Sequence, residues 1–506
     1  MAFKIMKIFL INFTDKGAAK KIAQKGMEIV YWTGKEQHFG ENRQDKEFFS
    51  DTIFHSLYDT LKAVPASEVK DLKLDFPPKE IFDVTKDIAC QVLGMISRID
   101  FNGISHGEKM DLFYRYVIYW YGVLKHFRPD AVFFTDIPHA APNYVIYFLS
   151  KLMGIRTAVY RLVKGMPGRL LFFDDFTDYK FLREAYEHAL AAGVNWEDLS
   201  DEMQKYVLDQ RQLGKNTEFK YASHVNKLIK RPRSLLSLRS VIENVKSGTF
   251  FHGVYRYFFM LQHKRNMLVI DEKEYSGFKL WWLFRKWSKI KKEYRQEYQD
   301  LQSTPDFKKK YIYVPLHFQP ECNTNPVGGI FDDQILMIRT LSASLPDGWY
   351  IYIKESPTQW IHFQGNFGRY KGYYKVLNEI QNVRLVPSNV STYELISSAQ
   401  SVATLTGSAG LEALILSKPV LLFGFGWYMD CDGVCRVMDV NSCRIALESI
   451  ANGYKPVEDR VFAFLHAVEK VTVSGAYNKR YRQFSSVSIE ENSVNIANYL
   501  LRAVGF

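Results

Sequence analysis

From residue 308 to residue 424 the chain alternates short apolar runs with longer amphipathic stretches, and this alternation constrains the fold more than any other feature. KKKYIYVPLHF, GWYIYIKES, VRLVP, SVATLTG and PVLLFG read as strands. FDDQILMIRTLSASLP, YKVLNEIQ, STYELISSA and SAGLEALILS read as the helices between them. A strand covered by helices on both faces needs a continuous apolar run, and a helix between strands returns the chain for parallel pairing. The rhythm also runs through the first 170 residues. There KIMKIFLINF, MEIVYWTG, RPDAVFFTD and IRTAVYRL read as strands, and GAAKKIAQKG, MDLFYRYVIYWYGVLKHF and APNYVIYFLSKLMG as helices.

The expected fold class is therefore α/β, with two Rossmann-like domains facing a cleft and a helical, basic insertion between them. GT-B is one two-Rossmann arrangement that fits. The expected boundaries are 1–170 for the N-terminal Rossmann-like domain, 171–305 for the insertion, 306–480 for the C-terminal Rossmann-like domain and 481–506 for a C-terminal helix. IEENSVNIANYLLRAVGF is amphipathic, suited to crossing back to the first domain or to meeting a membrane.

Charge marks the middle region. The chain carries a net charge of +11, and residues 221–300 hold 17 Lys+Arg against 7 Asp+Glu, a net of +10. The same stretch contains FFHGVYRYFFM and FKLWWLFRKWSKIKKEYR. A basic, aromatic surface suits an anionic partner such as a membrane surface, a lipid-linked acceptor or nucleic acid. It equally suits a solvated helical subdomain with an aromatic core. Nucleic acid rests on charge alone and is not expected.

Five cysteines, odd in number and irregularly spaced, give no disulfide framework, which points to a reducing compartment. Cys431, Cys435 and Cys443 lack a Cys-x2-Cys pair or a nearby His, so no metal is expected. The apolar N-terminal run is broken by Lys4 and Lys7 and reads as a first strand rather than a leader. No stretch reaches the length of a transmembrane helix. The expected location is cytoplasmic, with possible peripheral contact at the inner face of the cytoplasmic membrane.

Four loops carry the chemistry. In TLTGSAGLEALILS, a strand ends in a small-residue turn before a helix, with Ser408 read as N-cap and Glu412 one turn in. The free N–H groups at that helix end and the helix dipole suit a phosphate, and Gly407 and Gly410 let a ligand approach the backbone. A capped helix with tight packing is the plainer reading. The loop of YVPLHFQPECNTNPVGGIFDDQ clusters His317, Gln319, Glu321, Asn323 and Thr324 where a strand ends, as a nucleotide or sugar site requires. Lys354, after IYI, could neutralise a phosphate; alternatively Lys354 and Glu355 are surface charges. In FFTDIPHAAPNYV, Asp136 and His139 stand where a strand gives way to a helix. A carboxylate there could serve as general base, as an N-cap or in a buried ion pair.

The runs HFQPE-x-x-T-x-P-x-GG-x-F-x-DQ, GW-x-x-Y-x-KE-x-P-x-Q and GSAGLEAL-x-x-x-KPV-x-x-FG, in that order, resemble the bacterial capsule and surface-polysaccharide biosynthesis family. FTDIPH resembles that family's acidic-Pro-His loop. The family is similar to the Kdo transferases of capsule assembly. The resemblance implies a metal-independent GT-B glycosyltransferase with a nucleotide-sugar donor, a CMP-linked ulosonic acid fitting best, and a capsule or lipopolysaccharide glycan as acceptor. It implies nucleotide contacts at His317, Gln319, Glu321, Lys354, Ser408, Ala409, Gly410 and Glu412, and catalytic roles at Asp136 and His139. It implies no cofactor beyond the donor. Where the family has Lys-Glu-His-Pro, this chain has Lys354-Glu355-Ser356-Pro357, which bears on the donor more than on the fold. The competing readings are a teichoic-acid-type polyol-phosphate transferase and a non-catalytic glycan-assembly protein.

Overall fold

The computed structural model describes residues 5–100, 103–166, 168–216, 245, 277–319, 321, 324–361, 368–477 and 482–505. Most of the basic stretch 221–300 lies outside the described residues, and so do the membrane and helical-subdomain readings of it. The strands in chain order are β1 (Lys7–Ile11), β2 (Glu28–Gly34), β3 (Ile53–Ser56), β4 (Ala131–Thr135), β5 (Arg156–Leu162) and β6 (Arg169–Phe173). A second set follows: β7 (Tyr311–Pro315), β8 (Tyr350–Lys354), β9 (Val383–Leu385), β10 (Ser401–Thr404), β11 (Val420–Leu422) and β12 (Val434–Arg436), and last comes β13 (Thr472–Ser474).

These strands make two sheets, ordered β13-β6-β5-β4-β1-β2-β3 and β12-β11-β10-β7-β8-β9. The second sheet is parallel throughout. Counted from its own first strand, it has the doubly wound order 3-2-1-4-5-6. The first sheet repeats 3-2-1-4-5 with parallel pairing, then adds β6 and β13 as antiparallel strands. The fold is thus α/β with two Rossmann-like sheets. In each, the winding direction reverses between two central strands, β1 and β4 in the first, β7 and β10 in the second. Ligands of open α/β sheets bind at the carboxyl ends of such strand pairs.

The sequence makes these elements for ordinary reasons. All five residues of β4, AVFFT, are buried, as are all four of β10, SVAT. Helix His106–Phe127 opens with a reciprocal cap between Ser105 and Glu108 and ends at Arg128, whose φ is +48°. Helix Ala141–Leu152 carries a proline in its first turn, where the missing N–H costs nothing. It packs against His106–Phe127 and holds the loop after β4 in place.

Two strands, β6 and β13, depart from the sequence reading, whereas the C-terminal helix crosses back to the first domain as expected. Residues 171–173 are not the start of a helical region; they finish β6, which pairs antiparallel with β5. The chain re-enters the first sheet at Thr472, and helix Ile489–Ala503 then lies along helix Lys16–Gln24. There the Asp15 carboxylate accepts from Asn492 Nδ2 at 2.9 Å and from Ser493 Oγ at 2.7 Å. Among the described residues, no helix is long and apolar enough to cross a membrane.

Candidate active site between the two sheets

At the reversal point of the second sheet, His317 follows β7 and Thr404 ends β10. The two side chains meet, with His317 Nε2 2.9 Å from Thr404 Oγ1. Leu405 N–H also donates to Nε2 at 3.3 Å, so this nitrogen is the unprotonated one. Burial, chiefly, with Lys164 and Arg369 assisting and Glu321 opposing, holds the His317 pKa down to about 4. The ring is therefore neutral at pH 7.

The helix after β10 spans Ser408–Ile415 and its N-cap is Gly407, not Ser408. Thr404 Oγ1 accepts from Gly407 N at 3.2 Å, which braces the turn but leaves the helix without a side-chain cap. Ser408 is the first helical residue, and its side chain bonds to Glu412 one turn on. Burial raises the Glu412 pKa, against that bond and the charge of Lys354. Tyr428 Oη donates to Gly407 O at 2.5 Å and packs where a Cβ on Gly410 would sit. A glycine is required there by close approach.

The loop bearing His317 and Gln319 is held by side chains that clamp its backbone. Gln334 accepts from His317 N at 2.7 Å and donates to His317 O at 3.2 Å. Gln359 does the same for Gln319, at 3.1 and 3.0 Å. Beneath them lies an ion pair whose two side chains are fully buried: Arg369 Nε and Nη2 donate to the Glu355 carboxylate at 2.8 and 3.1 Å. Tyr374 Oη adds a third bond to Glu355 at 2.6 Å, and Arg369 continues to Gln319 Oε1 at 2.8 Å and His317 O at 3.1 Å. The carboxylate and guanidinium thus satisfy each other in the core, as a buried charge must be satisfied.

Two sequence expectations change here. Glu355 is not a surface charge. Nor is Lys354 a free phosphate contact: it is buried, and its Nζ donates to Val390 O and Thr392 Oγ1, both at 2.7 Å. Burial brings its pKa down to about 8. Gln319 likewise spends its side chain on Arg369 and on Asp332 O.

The first sheet presents Asp136 and His139 after β4. Asp136 has a φ of +65°, and its carboxylate accepts from Ile137 N at 2.8 Å and lies 3.5 Å from Arg161 Nε. Burial alone would raise its pKa; Arg161, His139 and Lys164 outweigh burial and keep it below the usual carboxylate range. His139 Nδ1 lies 2.7 Å from Ile137 O. A carbonyl only accepts, so in the neutral ring Nδ1 carries the proton and Nε2 is the basic nitrogen. Burial lowers the His139 pKa, with Asp136 pulling the other way.

Residues that the sequence reading missed join the two halves. Arg98 donates to His139 O at 2.9 Å and also to Asn325 O, one carbonyl in each domain. Lys164, in the β5–β6 turn, lies 3.7 Å from Glu321 Oε1. Its charge acts on both Asp136 and His317. Asp136, His139, His317, Glu321 and the first turn of helix Ser408–Ile415 therefore gather where the two domains meet, whereas Lys354 and Gln319 are spent holding the surrounding loops. Among the described residues, no group of His, Cys, Asp and Glu could hold a metal ion.

Residues 263–449 match the family model described as capsule polysaccharide biosynthesis protein. This stretch is a capsule polysaccharide biosynthesis domain. It covers the second sheet as far as helix Val440–Ala451, and with it the His317 loop and the Ser408 turn. No curated protein matches the chain.

Among solved structures, the KpsC beta Kdo 2,7 transferase of Thermosulfurimonas dismutans is similar at 12% identity, covering 78% of this chain and 91% of its own, with a TM-score of 0.30. The UDP-GlcNAc 2-epimerase of Methanocaldococcus jannaschii is similar at 11% identity, covering 98% and 99%, with a TM-score of 0.25. A glycosyltransferase of Rickettsia africae is similar at 8% identity, covering 99% and 100%, with a TM-score of 0.26. Likeness this distant lends no weight to a function; the capsule-synthesis domain rests on the family match.

Proposed function

We propose that the protein is a GT-B glycosyltransferase that moves a sugar from a nucleotide donor to a capsule or lipopolysaccharide glycan. The observation that carries the reading is the meeting of two strand ends, one from each domain. A helix N-terminus at the second sheet's reversal point lies opposite an Asp-His pair at the carboxyl end of the first sheet's β4. The capsule-synthesis domain supports the pathway. The donor we propose is CMP-linked, carrying a Kdo-like or nonulosonic acid.

In this reading the nucleotide phosphate sits on the N–H groups at Ser408 and Ala409, where the helix dipole favours negative charge. Gly410 keeps the turn close-packed. His317 and Glu321 line the donor side, and Glu412 holds Ser408. The acceptor hydroxyl approaches from the first domain and gives its proton to His139 Nε2. Asp136 orients the acceptor or stabilises charge beside His139. The departing phosphate is met by the helix end and by cationic side chains, so the proposal invokes no metal. Contact with the inner face of the cytoplasmic membrane through 221–300 belongs to the same proposal.

The test is thermal stabilisation by CMP, CDP, UDP, GDP and ADP. A ligand at 100 times its dissociation constant adds about 2.7 kcal/mol. The reading expects selective stabilisation by CMP, lost in Ser408→Trp. A preference for UDP or GDP would overturn the donor class, and no shift with any nucleotide would overturn the transferase reading.

A further inference from the structure

We propose that Lys164 is the residue by which the first domain grips the donor: its ammonium pairs with the donor's phosphate, and Glu321 is the counter-charge it holds otherwise. The proposal rests on the nucleotide-sugar reading above. Lys164 belongs to the first domain, yet its turn lies on the second. Val163 N donates to Arg169 O at 2.9 Å to close the hairpin, and Gly165 follows with φ +94°. A Cβ built on Gly165 would stand 3.7 Å from Ser408 Cβ and 3.6 Å from Leu411 Cδ2. The turn is thus seated against the first turn of helix Ser408–Ile415.

The pair it makes there is built for exchange. Lys164 Nζ and Glu321 Oε1 are 3.7 Å apart, and the two side chains are 31% and 39% exposed. A pair so long and so wet contributes little to stability. The neighbouring Arg161–Asp136 pair differs: its side chains are only 7% and 14% exposed. A CMP-linked phosphate is a diester with the same single charge as Glu321, so Lys164 keeps its charge pairing in the exchange and gains a partner that the helix end also holds. Exchanging one partner for the other would tie the domains together through the donor.

Calorimetric titration of the full chain with CMP, CDP and UDP tests this, using Lys164→Met, Lys164→Arg and Glu321→Gln. For the nucleotide that the wild type binds, Lys164→Met is expected to weaken affinity about 10- to 100-fold. Lys164→Arg should recover most of it, and Glu321→Gln should tighten binding, because it removes the competing carboxylate. Equal affinity in Lys164→Met and wild type would overturn the proposal and leave the nucleotide reading standing. Weakening by Lys164→Met and Glu321→Gln alike would also overturn it, since that is the signature of a plain interdomain latch. A wild type that binds none of the three nucleotides would remove the nucleotide reading and this proposal with it.

Discussion

At the scale of single residues, the two histidines where the domains meet have different work. His139 has its Nδ1 proton fixed by Ile137 O, which leaves Nε2 as a base. Replacing it with Gln should lower transfer about 100- to 10,000-fold while leaving nucleotide affinity unchanged, as steady-state rates and calorimetry would show. A loss of nucleotide affinity instead would place His139 on the donor side.

His317 is held neutral by its surroundings, and that has a pH signature. Its pKa in the folded chain, about 4, lies below the 6.5 of an unperturbed histidine. Between those values the unfolded chain binds the proton first, so stability rises with pH across that window. The contribution is present above about pH 6.5 and is lost as pH falls towards 4, with an upper bound of about 3 kcal/mol. Denaturant titrations of His317→Asn should show a shallower loss between pH 6.5 and 4 than the wild type. An unchanged slope would show that the ring is not desolvated.

At the scale of elements, the loop after β7 depends on a core it does not belong to. Glu355 and Arg369 have no side-chain exposure, and their network ends on the backbone of His317 and on the Gln319 side chain. Removing one partner leaves a buried charge unpaired, which costs about 3–5 kcal/mol. Arg369→Met should therefore lower stability by that amount in urea titrations and weaken nucleotide binding in the surviving folded fraction. Normal stability would show that the pair is dispensable.

This is also the scale at which the sequence is most and least readable. The central strands were legible because burial on both faces forces continuous apolar runs. β3, β9, β12 and β13 span only three or four residues each, too few to show a period; of these only β9 was marked, by VRLVP. The Ser408 turn was legible, but its cap was misplaced by one residue: Gly407 takes the cap position and the Ser408 hydroxyl turns to Glu412. Lys354 read as a phosphate contact, and Glu355 with it as a surface charge in the plainer reading, because burial of a charge is decided by a distant partner, here Arg369, or Val390 O and Thr392. Arg98 and Lys164 were invisible for the same reason: each lies on an element without a motif and acquires its meaning only when the domains meet.

At the scale of the whole molecule, the chain closes on itself twice. β13 and helix Ile489–Ala503 return to the first sheet, and Arg98 bonds a carbonyl in each domain. A donor bound at the Ser408 turn should therefore be felt in both domains. Amide hydrogen exchange with and without saturating CMP measures this most directly. The account predicts coincident protection of 404–412 and of the β5–β6 turn at 161–166, with no change in helix Val440–Ala451. Protection confined to one domain, or none at either segment, would contradict a donor site between the two sheets.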